Sequence, residues 1–223
     1  MYKFKKGFTL SEVLITLAII GVVAALTIPT LISSINASKF TTSLKKNLLI
    51  LNSSLQINSA HNEMGASDPT IVDDATLAAW FITGSASGTT PTNLVVLQWT
   101  PGDNSVWLTD STRLSFFDTG GGTGCATQSA NSFDPTAPDA CYVIVDTNGD
   151  KKPNAIATNA GVGAADVWIL GITPNSIIPV ILSAATTTVA ALTDVNGNAM
   201  VPPYTQIGNG NRASYSVMTT GNT

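Results

Sequence analysis

Histidine occurs once, at His61, and cysteine twice, at Cys125 and Cys141, in a chain of 223 residues. A single histidine excludes His-based catalytic triads and His-rich zinc sites. Charge is scarce too, at 11% of residues, and the balance is acidic, with a net charge of −4. Lys3, Lys5 and Lys6 all precede Gly7, so the chain beyond Gly7 is more acidic still. A broad electrostatic surface for nucleic acid is not expected from such a composition. The glycine run "TGGGTG", Thr119 to Gly124, lacks the following Lys-Ser/Thr of a phosphate loop and reads as a loop beside Cys125. Carboxylate chemistry is the catalytic class that composition leaves open, because the second half of the chain is rich in Asp.

What the chain does have is a long apolar run. Phe8 to Ile28 is interrupted only by Thr9, Ser11, Glu12, Thr16, Gly21 and Thr27. As a helix it would reach about 30 Å, the thickness of a bilayer core. Lys3, Lys5 and Lys6 precede it, and Lys39 is the first charge beyond it. The positive-inside rule then keeps the N-terminus cytoplasmic and the rest outside. An ordinary signal peptide fits less well, because the run is long and no small-x-small cleavage site follows it. A plain signal anchor leaves Glu12 unexplained. A carboxylate in a membrane costs up to about 2.5–3.5 kcal/mol at mid-depth and less near the end, so Glu12 is expected to have a partner.

The stretch "KGFTLSEVLITLAIIGVVAALTIP" joins a short basic leader, Gly7, Phe8, Glu12 and an apolar helix reaching Pro29. It resembles the leader and N-terminal helix of type IV pilins and type II secretion pseudopilins. Ser11 departs modestly from that pattern, where an apolar residue is common. The resemblance implies cleavage by a prepilin peptidase between Gly7 and Phe8, and N-methylation of Phe8. It implies assembly with other pilin or pseudopilin subunits on an inner-membrane platform. It also supplies the partner of Glu12, which is the cationic amine of Phe8 on a neighbouring subunit. In low dielectric a mis-registered subunit would leave that charge buried and unpaired, so Glu12 would set axial register. Gly21 and Pro29 are both helix-weakening residues. Membrane helices tolerate such residues, and in related filaments the segment between them can unwind.

Beyond Pro29 the helical period continues. Ala37, Phe40, Leu44, Leu48, Leu51 and Leu55 form one apolar stripe, with Lys45, Lys46, Asn47, Asn52 and Gln56 assigned to other faces. The helix is expected to end near residue 62, with Gly65 as a cap. Strands are expected over Leu94–Trp99, Val106–Leu108, Leu114–Phe117, Cys141–Val145, Val167–Leu170 and Ile177–Leu182, and a short helix over Asp74–Ile82. Pro179 makes the last strand an edge or a bulge. The expected fold is therefore α+β, a long N-terminal helix on a small, mostly antiparallel head. Its parts are a leader at 1–7, a membrane and filament-core helix at 8–30, an amphipathic continuation at 31–64 and a globular head at 65–223.

Three features of the head bear on chemistry. Cys125 and Cys141 would lie outside the cytoplasm, where disulfides persist, and are expected to pair, the other reading being two separate buried thiols. "DTNGDKKPN" places Asp146, Asn148 and Asp150 at alternate positions, as oxygen ligands of calcium are often spaced. It fails the EF-hand pattern at Lys151 and Ala157, and Asn148-Gly149 is by itself a strong turn signal. A plain turn and a calcium loop both remain open, with Asp166 a candidate further carboxylate and the "DVNGN" stretch from Asp194 a weaker echo. Trp80, Trp99, Trp107 and Trp168 read as core or interface anchors, and no exposed aromatic or basic patch is evident on the head. A non-enzymatic filament subunit is the leading reading. The competing reading is a binding module, either a tip adhesin or a DNA-uptake minor pilin. The precursor would reside in the bacterial inner membrane, and the assembled form in a periplasmic pseudopilus or a surface pilus.

Overall fold

The computed structural model describes residues 7–61, 65–118, 124–125, 141–149, 151 and 165–179. One helix, α1 (Leu10–His61), runs without a break through Gly21 and Pro29. A 3-10 turn (Gly65–Ser67) and a second helix, α2 (Asp74–Thr83), follow it. Six strands then form one sheet: β1 (Val96–Gln98), β2 (Ser105–Leu108), β3 (Arg113–Asp118), β4 (Cys141–Asp146), β5 (Val167–Ile172) and β6 (Ile177–Pro179). Every pairing is antiparallel and joins consecutive strands. The architecture is the α+β, pilin-like one, with a long helix against an antiparallel sheet. Pro179 closes β6 at the sheet edge, where a missing N–H is tolerated.

The head half of α1 packs Phe40, Leu44, Leu51 and Leu55 into a core with Leu77, Trp80 and Phe81 of α2. The sheet contributes Val106, Leu114, Phe116, Val143, Val145, Trp168 and Leu170, alternate residues of their strands. Phe81 stacks on Phe116 with ring centroids 5.0 Å apart. The opposite face of the central strands is buried as well, at Tyr142, Ile144, Val167 and Ile169. That explains why β4 and β5 read as continuous apolar runs rather than alternating ones.

The stripe on α1 is more polar than its apolar spacing indicates. Asn47, Ser54 and Asn58 are buried along with the leucines. Ser54 Oγ donates to the Phe81 carbonyl and Asn58 Nδ2 to the Trp80 carbonyl, each at 2.6 Å. These carbonyls lie in the last turn of α2, where the Trp80 carbonyl also accepts from the Gly84 amide at 3.0 Å. Asn93 Nδ2 donates in turn to Asn58 Oδ1. Gly84, at φ 87°, closes α2 in the left-handed conformation that glycine takes without steric cost. Asn47 Nδ2 donates to the Ser43 carbonyl, and Asn52 exchanges hydrogen bonds with the Ile177 main chain of β6. The assignment of Asn47 and Asn52 to outward faces is therefore corrected. Asn47 lies in the helix–sheet interface, and Asn52 covers the main chain of an edge strand.

Candidate functional site

The N-terminal segment stands apart from the head. No residue from Leu10 to Lys39 is buried, and Phe8 and Leu10 are 89% and 81% exposed. Among the described residues this is the one helix long and apolar enough to cross a membrane. Thr9 precedes its first turn and Glu12 is its third helical residue, the spacing of a capping box. The Thr9 amide and hydroxyl donate to Glu12 Oε2 at 2.8 and 2.9 Å, and the Glu12 amide donates to Thr9 Oγ1 at 3.3 Å. Glu12 thus has a partner within its own chain, which the sequence reading missed although "TLSE" carries the signal. Side-chain space is open at both Gly7 and Gly21. Packing within one chain therefore explains neither glycine.

In the head, strand register builds a row of side chains across the sheet. Trp107 of β2 faces Arg113 of β3, which faces Asp146 of β4, which faces Val167 of β5. The Arg113 guanidinium lies 5.7 Å from the centroid of the Trp107 ring. Asp146 and Asp166 are both buried. The Thr147 amide and hydroxyl each donate to the Asp166 carbonyl at 2.9 Å, so the chain segments that carry the two aspartates adjoin at this end of the sheet. Burial pushes the Asp146 carboxyl up to about 7; the Asn148 amide opposes this, the Asp166 charge adds to it, and the Gly149 amide and Arg113 oppose it. The Asn148 amide bonds Asp146 Oδ1 at 3.2 Å, folding "DTNG" as an Asx turn. Gly149, at φ 65°, lies against the Trp107 ring, and a Cβ there would run into it.

With that geometry in place, one comparison is informative. A model of the prokaryotic N-terminal methylation motif matches residues 2–28. The chain carries the hallmark of type IV pilins and pseudopilins. The pilin-type match ends one residue before Pro29, so the head lies outside it. Comparison with curated proteins and with solved structures found no match to the chain. The pilin hallmark therefore speaks for the N-terminal segment, and the head is read from its own geometry.

Within this pilin-type chain the candidate residues fall into three groups. Gly7, Phe8 and Glu12 lie together at the start of α1, and Gly21 and Pro29 lie within its exposed half. Cys125 and Cys141 form a disulfide that ties the start of β4 to the 3-10 turn, since the Cys125 amide donates to the Ala66 carbonyl at 2.8 Å. Asp146, Asn148 and Asp166 come together at one end of the sheet, whereas Asp150 and the Asp194 stretch lie outside the described residues. Of the four tryptophans read as core or interface anchors, Trp80 and Trp168 are buried in the core, whereas Trp99, which packs against the core, and Trp107 are half-buried and line an open polar cavity with Arg113. Strand register sets Trp107 opposite Gln98.

Proposed function

We propose that the chain is a non-enzymatic structural subunit of a helical filament, made as a membrane-anchored precursor. The observation that carries this reading is a methylation motif leading into a helix whose first thirty residues bury no side chain in their own chain. Exposed apolar surface on that scale requires a lipid or protein environment. A membrane supplies it before assembly, and the packed helices of neighbouring subunits supply it afterwards. Cleavage between Gly7 and Phe8 by a prepilin peptidase turns the Phe8 amide into an amine. That amine, N-methylated, gives Glu12 of an adjoining subunit a cationic partner. The open space at Gly21 suits close approach of another helix, and unwinding between Gly21 and Pro29 would let α1 adjust to the filament. The head sits on the far side of the membrane from the cytoplasmic N-terminus, where the Cys125–Cys141 disulfide is stable.

Electron microscopy of cells with and without the protein tests this proposal. Surface fibres that contain the chain mark a pilus subunit. A lack of fibres together with failed protein export on deletion marks a pseudopilin. Fibres and export that are both indifferent to deletion contradict the filament reading.

The head's acidic turn is proposed as a calcium site. Asp146 and Asp166, both buried at one end of the sheet, and Asn148 in the turn after Asp146 are oxygen-bearing groups of the kind a hard cation takes. No group of three His, Cys, Asp or Glu residues converges among the described residues, so main-chain carbonyls, water or Asp150 must supply the rest. Calcium bound only to the folded head raises its melting temperature. An unchanged melting temperature in calcium and in chelator would leave "DTNGD" as a turn alone.

A further inference from the structure

One face of α1 carries a groove that runs from the exposed half into the head. At the head end it is a cavity of about 340 Å³, with Lys46, Ile50 and Ser53 of α1 on one wall and Val95, Leu108 and Asp110 on the other. Towards the N-terminus it widens into a more open cavity of about 530 Å³ along Ile35, Ser38, Lys39, Thr42 and Ser43. The two cavities share Lys46 and Asp110, whose ion pair at 2.7 Å joins the walls. The α1 wall residues recur every three or four places and so form one helix face. From Ile35 to Ser53 that face is about 27 Å long.

The lining is mostly apolar and open to solvent, with Val95 73% exposed and Ile50 half-buried. Its charges nearly cancel. Lys46 and Asp110 neutralise each other, and Lys39 is exposed at the rim, where its ammonium keeps contact with water. A bilayer around Phe8–Ile28 does not reach the head end of this surface. Ile50 lies about 33 Å along the helix from Ile28, whereas the polar layer of a membrane is about 5–8 Å deep on each side. An apolar groove of this length beyond the lipid calls for an apolar protein segment.

We propose that the groove seats the first half of α1 from a second copy of the chain; this rests on the filament reading above and names where that half docks. Val13 to Ile28 is uncharged and about 24 Å long as a helix, so it matches the groove in length and buries no unpaired charge there. Leu14, Gly21 and Ile28 fall on one face at intervals of seven, with Ala18 and Ala25 beside them. All copies enter the membrane in one orientation, so the two helices lie parallel. A stagger of about 21 residues, or about 32 Å, then sets Leu14 against Ile35, Gly21 against Thr42 and Ile28 at the cavity of Ile50, Val95 and Leu108. Small residues in the middle of this contact, Ala18 and Gly21 facing Ser38 and Thr42, let the helix axes approach to about 8 Å. The open space beside Gly21 thereby acquires a use that packing within one chain does not give it. The pairing of Glu12 with the Phe8 amine joins two helices at a stagger of only about 6 Å, so it belongs to a different neighbour.

The test places photoreactive benzoylphenylalanine at Val95 or at Thr42 of the full chain and maps cross-links in assembled filaments by mass spectrometry. Val95 should link to residues near Ile28 of a second copy, and Thr42 to residues near Gly21. Val95→Asp should fold with an unchanged melting temperature, since the residue is exposed. It should enter filaments about tenfold less well, because the filled groove would bury an unpaired carboxylate. The Thr42 cross-link decides the matter if Val95→Asp fails to fold. Cross-links to a neighbouring head, to lipid or to another protein, filaments that form without a cross-link, or normal incorporation of folded Val95→Asp would each overturn the proposal and leave the filament reading intact. A wild-type chain that enters no filament would overturn both.

Discussion

The two parts of α1 are one unbroken helix but are built for different surroundings. From Leu10 to Lys39 no side chain is buried, and the apolar residues lie all round the helix. From Phe40 to His61 one stripe, with Phe40, Leu44, Leu51 and Leu55, is buried, while Leu49 and Ile57 stay exposed, and the stripe is interleaved with polar groups that have specific partners: Ser54 and Asn58 on α2, and Asn52 on β6. A helix apolar on all sides needs an apolar surrounding, whereas an amphipathic one needs a single packed face. The head half therefore finds its partner within the chain, and the first half must find it elsewhere. The switch near Phe40 is the physical boundary between the stretch offered to other molecules and the stretch that belongs to the head.

Substitutions in the two parts should therefore separate assembly from folding. The largest effect is expected from Gly7→Glu, which should leave the leader attached and abolish incorporation into filaments while the head still folds; immunoblot mobility and near-UV circular dichroism read the two outcomes. Glu12→Leu makes the first half more apolar, so membrane levels should persist while incorporation falls. Normal recruitment of Glu12→Leu would break the register argument. In the head half, Leu51→Ala removes a fully buried side chain and should cost about 2–5 kcal/mol in chemical denaturation. Leu17→Ala, 61% exposed, should leave that stability unchanged, and a comparable loss at both sites would erase the contrast. Replacing Cys125 and Cys141 with serine opens a loop with a sequence separation of 16 and should cost about 3 kcal/mol on the chain-entropy account.

A further effect is electrostatic. The Asp146 carboxyl is raised from 3.8 to about 7 in the folded chain. The folded state then binds the proton more tightly than the unfolded one. Stability is greatest below about pH 4 from this group and is lost as pH rises towards 7, by at most about 1.4 kcal/mol per pH unit. Asp146→Asn should flatten that slope in the absence of calcium. Bound calcium would favour the ionised carboxylate and oppose the same slope, so a profile identical in calcium and chelator would count against the cation site.

Much of this was legible in the sequence, for identifiable reasons. The unbroken apolar run, the basic leader and the Gly7–Phe8–Glu12 spacing are local features, and the strands around Val106, Cys141 and Val167 show as short apolar runs between turn residues. The antiparallel β4–β5 pairing sets Asp146 opposite Val167, the residue after Asp166. The misses share a cause. Apolar periodicity marks a buried face but is blind to Asn47 and Asn58, which are buried because helix ends and edges require polar partners. Trp107 faces Gln98 beyond the point where the β1–β2 register shifts, and such a shift cannot be counted along the chain. Thr9 was read only as an interruption of the apolar run, although its spacing from Glu12 makes a helix cap.

The account rests on Gly7 and Phe8 flanking a processing site, and mass spectrometry of the N-terminal peptide from the mature wild-type protein tests this most directly. It predicts a chain that begins at Phe8 and carries one added methyl group on its amine. A retained Met1–Gly7 leader, a start at any other residue, or an unmodified Phe8 amine would contradict it.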